Sequence, residues 1–219
     1  MPRIARIIVP DCPHHIIQRG NRRQRVFFHD SDRTLYLRLL KQQGARWGII
    51  FWAYCLMENH VHLVAVPRYQ WSFSRGLGEA HRKYTNLINI RENWKGYLWQ
   101  GRFISYPMDE THLYVALRYV EQNPVRAGVA IKPEEYPWSS AKAHVYRRKD
   151  VLISPCEKLS SITDWASFLG EASRESEIAL IRDHEASGRP LGDEKFINDL
   201  EEKTGRILRL RKRGRKKGN

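Results

Sequence analysis

Glu58-Asn59-His60-Val61-His62-Leu63-Val64-Ala65-Val66-Pro67 is the stretch that decides the fold. Glu58-Asn59 reads as a turn, and His60 to Val66 alternates until Pro67 stops it. The preceding segment, Gly48 to Met57, is β-branched and aromatic, so the two together predict a β-hairpin of central strands. Successive side chains in a strand point to opposite faces. His60 and His62 therefore share one face while Val61 and Leu63 point to the other.

Working outward, Pro13 to Gly20 carries the Ile16-Ile17 pair and runs into Arg19-Gly20-Asn21, a short strand entering a turn. A basic loop of Arg22, Arg23 and Arg25 follows. Asp30 to Arg46 opens with Asp30 and Ser31 as candidate caps and repeats Leu35, Leu39 and Leu40 at helical spacing, which predicts a first helix. Downstream, Phe73, Leu77, Ala80, Tyr84, Leu87 and Ile88 mark a second amphipathic helix between Phe73 and Arg91. Ile104 to Met108 is a last strand, and Pro107 assigns it to an edge. Strand, helix, two strands, helix, strand is the order of a ferredoxin-like split βαβ, an α+β fold with one antiparallel sheet backed by two helices. A third helix is predicted from about Glu110 to Gln122.

Past Trp138-Ser139-Ser140 and Arg147-Arg148-Lys149 the patterns become shorter, which places a boundary near residue 150: a catalytic unit, 1–150, and a helical extension, 151–219. The extension closes on Arg209, Arg211, Lys212, Arg213, Arg215, Lys216 and Lys217, a block that repels itself and predicts a flexible tail with broad affinity for polyanions. Arg189 in Gly188-Arg189-Pro190 is a further candidate for contact with a narrow DNA groove.

The net charge of +14 favours a phosphate-rich partner over acidic protein surfaces or neutral metabolites. No apolar run approaches the length of a membrane-spanning helix. Ile4 to Val9 is interrupted by Arg6 and stopped by Pro10, unlike a signal peptide, so the sequence predicts a cytoplasmic, nucleoid-associated protein. Cys12, Cys55 and Cys156 are scattered and form no C-x-x-C pair, which argues against a disulfide framework or a zinc ribbon.

A neutral imidazole pair suits a divalent ion, which can withdraw charge from a phosphoryl oxygen. Taken alone, an H-x-H pair fits equally well two half-exposed histidines on a strand. In the third helix Leu113, Ala116, Leu117 and Val120 form the core stripe, and Tyr119 and Asn123 lie together along its flank. Tyr114 points elsewhere. Pro124 disfavours helical geometry at Asn123, so the helix is predicted to end there with the amide near the core edge. A tyrosine with its ordinary pKa near 10 needs a base or a positive field to attack phosphorus. Tyr119 as a flank aromatic and Asn123 as a cap is the plainer reading of this helix alone.

Together, Leu56-Met57-Glu58-Asn59-His60-Val61-His62-Leu63, Leu98-Trp99-Gln100-Gly101-Arg102-Phe103, Tyr119-Val120-Glu121-Gln122-Asn123-Pro124-Val125-Arg126-Ala127-Gly128 and Tyr136-Pro137-Trp138-Ser139-Ser140 resemble the REP-associated tyrosine transposases. These are single-tyrosine members of the HUH single-stranded-DNA transposases. The resemblance spans roughly Arg3 to Ser140. It implies that His60, His62 and Asn123 are metal ligands, that Mg2+ or Mn2+ is the cofactor, and that Tyr119 is the nucleophile of a strand transferase forming a 5′-phosphotyrosine intermediate. It implies single-stranded or hairpin DNA as partner; the sequence leaves open whether the working unit is a monomer or a homodimer. Glu58 stands where relatives commonly carry proline.

Arg19, Arg22, Arg23, Arg25, Arg82, Lys83 and Arg102 are the candidate DNA contacts, with Trp94, Tyr97 and Trp99 as possible stacking surfaces. The alternative reading is a domesticated DNA-binding regulator that keeps the fold without cutting. A histidine-triad hydrolase needs another histidine where Val64 stands, and a zinc site joining Cys12 and His14 or His15 to the His60 pair is not demanded by the spacing.

Overall fold

The computed structural model describes residues 5–209, and the predicted order of elements is present. β1 (His14–Arg19), α1 (Asp30–Trp47), β2 (Ile49–Leu56), β3 (His60–Pro67), α2 (Ser72–Arg91) and β4 (Ile104–Pro107) build one antiparallel sheet in the order β2-β3-β1-β4. The α+β, ferredoxin-like arrangement follows. β4 is an edge strand, as Pro107 requires. The hairpin is not wholly central, however: β1 inserts between β3 and β4, which leaves β2 at the other edge.

Each face of the sheet has its own core. Ile16, Val61, Leu63 and Ala65 pack beneath Leu37, Leu40, Phe73, Leu77 and Tyr84 of α1 and α2. The opposite face sets Ile17, Val64, Val66 and Tyr106 against Leu113, Ala116, Leu117 and Val120 of α3 (Glu110–Glu121), all four of the predicted stripe being fully buried. A bulge between Phe51 and Ala53 sends both Trp52 and Ala53 to this second face before alternation resumes.

Local details differ from the sequence reading. The cap of α1 is His29, and Asp32 rather than Asp30 or Ser31 closes the box by accepting from the Phe28 and His29 N–H groups. Leu87 belongs to the exposed side of α2 because its neighbours Tyr84 and Ile88 already fill the core stripe. Gly48 ends α1 in the left-handed region at φ 65°, and a Cβ there would stand 2.9 Å from Arg68 Cβ, so only glycine turns the chain this tightly into β2.

The chain continues through α4 (Asn123–Arg126), α5 (Ala141–Val145), α6 (Trp165–Gly170), α7 (Glu175–Ser187) and α8 (Glu194–Thr204). Leu159, Trp165, Leu169, Ile181 and Leu191 join the second core. Leu191 also bridges Met108 in parallel and exchanges backbone hydrogen bonds with Pro107 and Asp109, which covers part of the exposed edge of β4. Leu200 and Leu208 close a small cluster over Ile7.

Two cations assigned to DNA contact by sequence are otherwise engaged. Arg189 donates to the backbone carbonyls of Leu208 and Arg209, and Arg209 pairs with Glu194 and Glu201, so both brace the extension. The rest of the basic tail, Arg211 to Lys217, lies outside the described residues. No helix among the described residues is long and apolar enough to cross a membrane.

Candidate active site

Strand register assembles the site. His60 opens β3 opposite Arg19, and His62 lies opposite Ile17. Because Val61 and Leu63 are sealed under α1 and α2, the two histidines emerge on the α3 face, with ring centroids 5.1 Å apart. His15, on the same face of β1, stacks on His62 at 5.2 Å. Beside them Gly20 leads into a turn in which Arg22 and Arg23 both take positive φ, 50° and 61°. A Cβ on Gly20 would stand 2.2 Å from the Gln24 carbonyl oxygen, so glycine is needed for this turn to close against β3.

α3 contributes Tyr119 from the flank of its buried stripe. Its ring is 5.7 Å from that of His62 and 5.9 Å from that of His15, and it is 6% exposed. Tyr114 faces away, its hydroxyl 2.9 Å from the Lys158 carbonyl and from Ser161 Oγ. α3 stops at Glu121, as the proline predicts. Asn123, though, does not leave helical geometry; it opens the single turn of α4, where Pro124 sits in the first turn and its missing N–H costs nothing. Arg126 then folds back, its guanidinium 4.0 Å from the Tyr119 ring centroid and 2.5 Å from the Tyr119 carbonyl.

These groups line one cleft of about 630 Å3, walled by Arg19, His60, His62, Tyr119, Asn123 and Arg126, and closed from the far side by Arg182 and Glu185 of α7. Of the candidate DNA contacts, Arg19, Arg23 and Arg102 line it. Arg22 and Arg25 lie beyond Arg19 in the chain without lining it, and Arg25 pairs with Glu58. Arg82 and Lys83 lie on α2 and are not part of the cleft; Arg82 is held by Glu79 at 2.7 and 2.9 Å. Among the aromatics Trp99 is a core residue, 6% exposed, whereas Tyr97 is 85% and Trp94 43% exposed.

Burial controls the charges. It pushes His60 down to about 4, aided by the Arg19 cation, His15 down to about 3, and His62 well below its ordinary value. All three are therefore neutral near pH 7 and keep a lone pair. Burial pushes the Glu185 carboxyl up to about 7, against the pull of the Tyr119 hydroxyl and of Arg19, Arg126 and Arg182. It likewise raises the Tyr119 pKa, a rise that Arg126 and Arg182 oppose.

The donors suit a divalent cation. His15, His62 and Glu185 each bring a nitrogen or oxygen within 4.8 Å of the others. Glu185 Oε1 is buried without a hydrogen-bond partner, 3.7 Å from His62 Nδ1. With His60 and Asn123 lining the same cleft, neutral imidazoles and an unpartnered carboxylate oxygen make a donor set for such an ion rather than an ion pair. Arg126 Nη1 is also buried and unpartnered, as a group awaiting an anion would be. Cys12 takes no part: its Sγ lies 3.5 Å from the Met108 carbonyl, and His14 is on the other face of β1.

Sequence reasoning missed Arg126, Arg182 and Glu185, and met His15 only in a zinc site that the spacing does not demand. His15 was findable, since it has the same strand parity as Ile17 and Arg19. Arg182 and Glu185 sit in an ordinary amphipathic segment and reach the cleft only through tertiary packing of Ile181 on the second core.

Comparisons with known proteins bear on the family and the fold. Residues 8–123 match the family described as "Transposase IS200 like". A solved structure described as the REP-associated tyrosine transposase bound to a REP hairpin superposes with a TM-score of 0.58, at 16% identity, covering 71% of this chain and 93% of that one. A putative transposase from Deinococcus radiodurans covers 55% of this chain and 97% of its own, at 20% identity and a TM-score of 0.38. No curated protein matches. With more than half of its length inside the family match, the chain belongs to the IS200-like transposase family.

Proposed function

We infer that this protein cuts and rejoins single-stranded DNA at repeat hairpins, with Tyr119 as nucleophile and a divalent cation, Mg2+ or Mn2+, held by His60, His62 and Asn123 with Glu185 alongside. The observation that carries the reading is the packing of one buried tyrosine against His62, His15 and an arginine, with an orphaned carboxylate oxygen at the same spot. The hairpin substrate is suggested by the REP hairpin bound to the structural relative. In this reading residues 1–150 carry the catalytic fold, and the extension, 151–219, supplies the α7 wall.

Bound there, the cation would act as a Lewis acid on a phosphoryl oxygen. Arg126, with a free Nη1 beside the Tyr119 ring, orients the same phosphate and stabilises its developing charge. The Tyr119 Oη–P bond forms as the P–O3′ bond breaks, and the tyrosine proton passes to the neighbouring Glu185 carboxylate. The departing 3′ oxygen takes a proton from water, and the products are a 5′-phosphotyrosine link and a free 3′-hydroxyl. Because the link conserves the phosphodiester, a second 3′-hydroxyl can displace Tyr119 without ATP. Arg19, Arg23 and Arg102 steer the strand into the cleft.

The test is incubation of the full chain with labelled hairpin oligonucleotides and Mg2+ or Mn2+, followed by a denaturing gel for a protein–DNA adduct. Adduct with the wild type and none with the His60→Ala, His62→Ala double variant is the expected result. Hairpin binding with no adduct from the wild type under any of these conditions would favour a binding regulator instead.

A further inference from the structure

Each histidine of the pair has one ring nitrogen already engaged. His60 Nδ1 lies 2.6 Å from Asn59 Oδ1, and Asn59 Nδ2 donates to the Arg23 carbonyl at 3.0 Å. With its amide thus oriented, Asn59 offers Oδ1 as an acceptor only, so the proton is on His60 Nδ1 and the lone pair on Nε2.

His62 is held in a parallel way, deeper in the protein. Its Nδ1 is 3.0 Å from His15 Nε2, and His15 Nδ1 is 2.7 Å from the Tyr106 hydroxyl. A tyrosine hydroxyl donates or accepts, so this chain of three groups has two possible proton orders. In one, His62 Nδ1–H donates to His15 Nε2 and His15 Nδ1–H donates to Tyr106 Oη, which leaves the His62 Nε2 lone pair free. In the other the proton sits on His62 Nε2 and blocks it.

We propose that His15 and Asn59 are positioning residues that select the Nδ1–H tautomer of His62 and His60, so that both histidines offer Nε2 to the divalent cation. The inference rests on the reading of the pair as metal ligands. His15 is no ligand in this arrangement, since both of its nitrogens are committed to neighbours. Metal-bound histidines are commonly fixed through the second ring nitrogen by a carboxylate, carbonyl or water; here an amide and a buried imidazole fill that place. The arrangement also explains why β1 carries a histidine at a core position where Ile17, two residues on, is apolar.

The experiment uses the full chain with 15N-labelled histidine. Long-range 1H–15N spectra read the tautomer of each ring, and calorimetric titration with Mn2+ reads affinity. In the wild type His60 and His62 should both show the Nδ1–H form. His15→Phe, which keeps a ring but removes both nitrogens, should move His62 toward the Nε2–H form and weaken Mn2+ binding by about 10- to 100-fold. His15→Gln returns an acceptor near the position of Nε2 and should restore most of the affinity. Asn59→Ala, at a partly exposed turn where folding is not at stake, should do to His60 what His15→Phe does to His62. Unchanged tautomer and affinity in His15→Phe and Asn59→Ala would overturn the proposal, as would His15→Gln binding no better than His15→Phe. His62→Ala is the separate control: if it binds Mn2+ like the wild type, the metal-site reading itself fails.

Discussion

Acid should destabilise this protein, and two histidines remote from the cleft, His14 and His81, contribute alongside His15, His60 and His62, which burial likewise depresses. His14 Nε2 accepts the Val9 N–H at 3.3 Å and its Nδ1 donates to the Cys12 carbonyl at 2.8 Å, so a second proton would face a fixed donor. His81 is walled by Trp99 and Phe103, its Nε2 2.8 Å from the Tyr36 hydroxyl. Burial pushes His14 down to about 4 and His81 down to about 3. The unfolded chain binds protons at these residues from about pH 6.5 downward while the folded chain does not. Their contribution to stability is therefore complete above that value and is lost as pH falls toward the folded-state pKa values. By about pH 5 each histidine has removed about 2 kcal/mol, so the pair removes about 4 kcal/mol of a total that is commonly about 5–15. Glu185 works in the opposite sense, since a carboxyl raised to about 7 loses its stabilising effect as pH rises toward that value. The measurement must therefore compare variants. Urea midpoints for the wild type, His14→Gln and His81→Gln, taken from about pH 8 to about pH 5, should show each substitution flattening the acid limb by about 2 kcal/mol. Variant curves that run parallel to the wild type over that range would refute the argument.

Tyr119→Phe should abolish the covalent adduct and spare hairpin binding, whereas Tyr114→Phe should still form it; peptide mapping of the adduct to another residue would contradict the assignment. Glu185→Gln should slow single-turnover cleavage by about 10²- to 10⁴-fold if the carboxylate takes the tyrosine proton, and an unaltered rate would remove that role. Truncation after Arg209 should flatten the salt dependence of DNA affinity without changing hairpin preference, because each phosphate contact releases counterions. Cutting earlier is a poorer test, since Leu208 packs on Ile7 and Leu200. Leu117→Ala, at a fully buried position of the α3 stripe, should cost about 2–5 kcal/mol by chemical denaturation, and a loss below about 1 kcal/mol would mean that the second core is loosely packed.

The fold was legible because its signals are local. Alternation from His60 to Val66, the hairpin turn at Glu58-Asn59 and the stripe from Leu113 to Val120 each state a period that the backbone must obey. The same local logic placed Tyr119 beside Asn123 and turned Tyr114 away. It failed where the decisive partner is distant in sequence. Leu87 looks like a core residue until the two helices are docked on the sheet, and Trp99 looks like a stacking surface until its ring is seen against Tyr36 and His81. The α1 cap is a different, local miss: Asp32, three residues on, turns back to the Phe28 and His29 N–H groups and makes His29 the cap. Arg182 and Glu185 had no local signature at all.

That α7 closes the cleft sets an order in time. Ribosomes add residues from the N-terminus, so His60, His62 and Tyr119 are made before the wall that faces them. Arg182 follows Tyr119 by more than sixty residues, roughly 3 to 12 seconds at about 5–20 residues per second. During that interval the second core lacks Ile181 and Leu191, and at its start Leu159, Trp165 and Leu169 as well, so the tyrosine face of the sheet is covered by little more than α3. A nascent chain at this stage carries Tyr119 without the Glu185 carboxylate that faces it, and an aggregation-prone surface in place of a finished cleft. Ribosome-bound chains stalled before and after residue 185 should differ in chaperone binding for this reason, and the tyrosine acquires its partner only as that surface is buried.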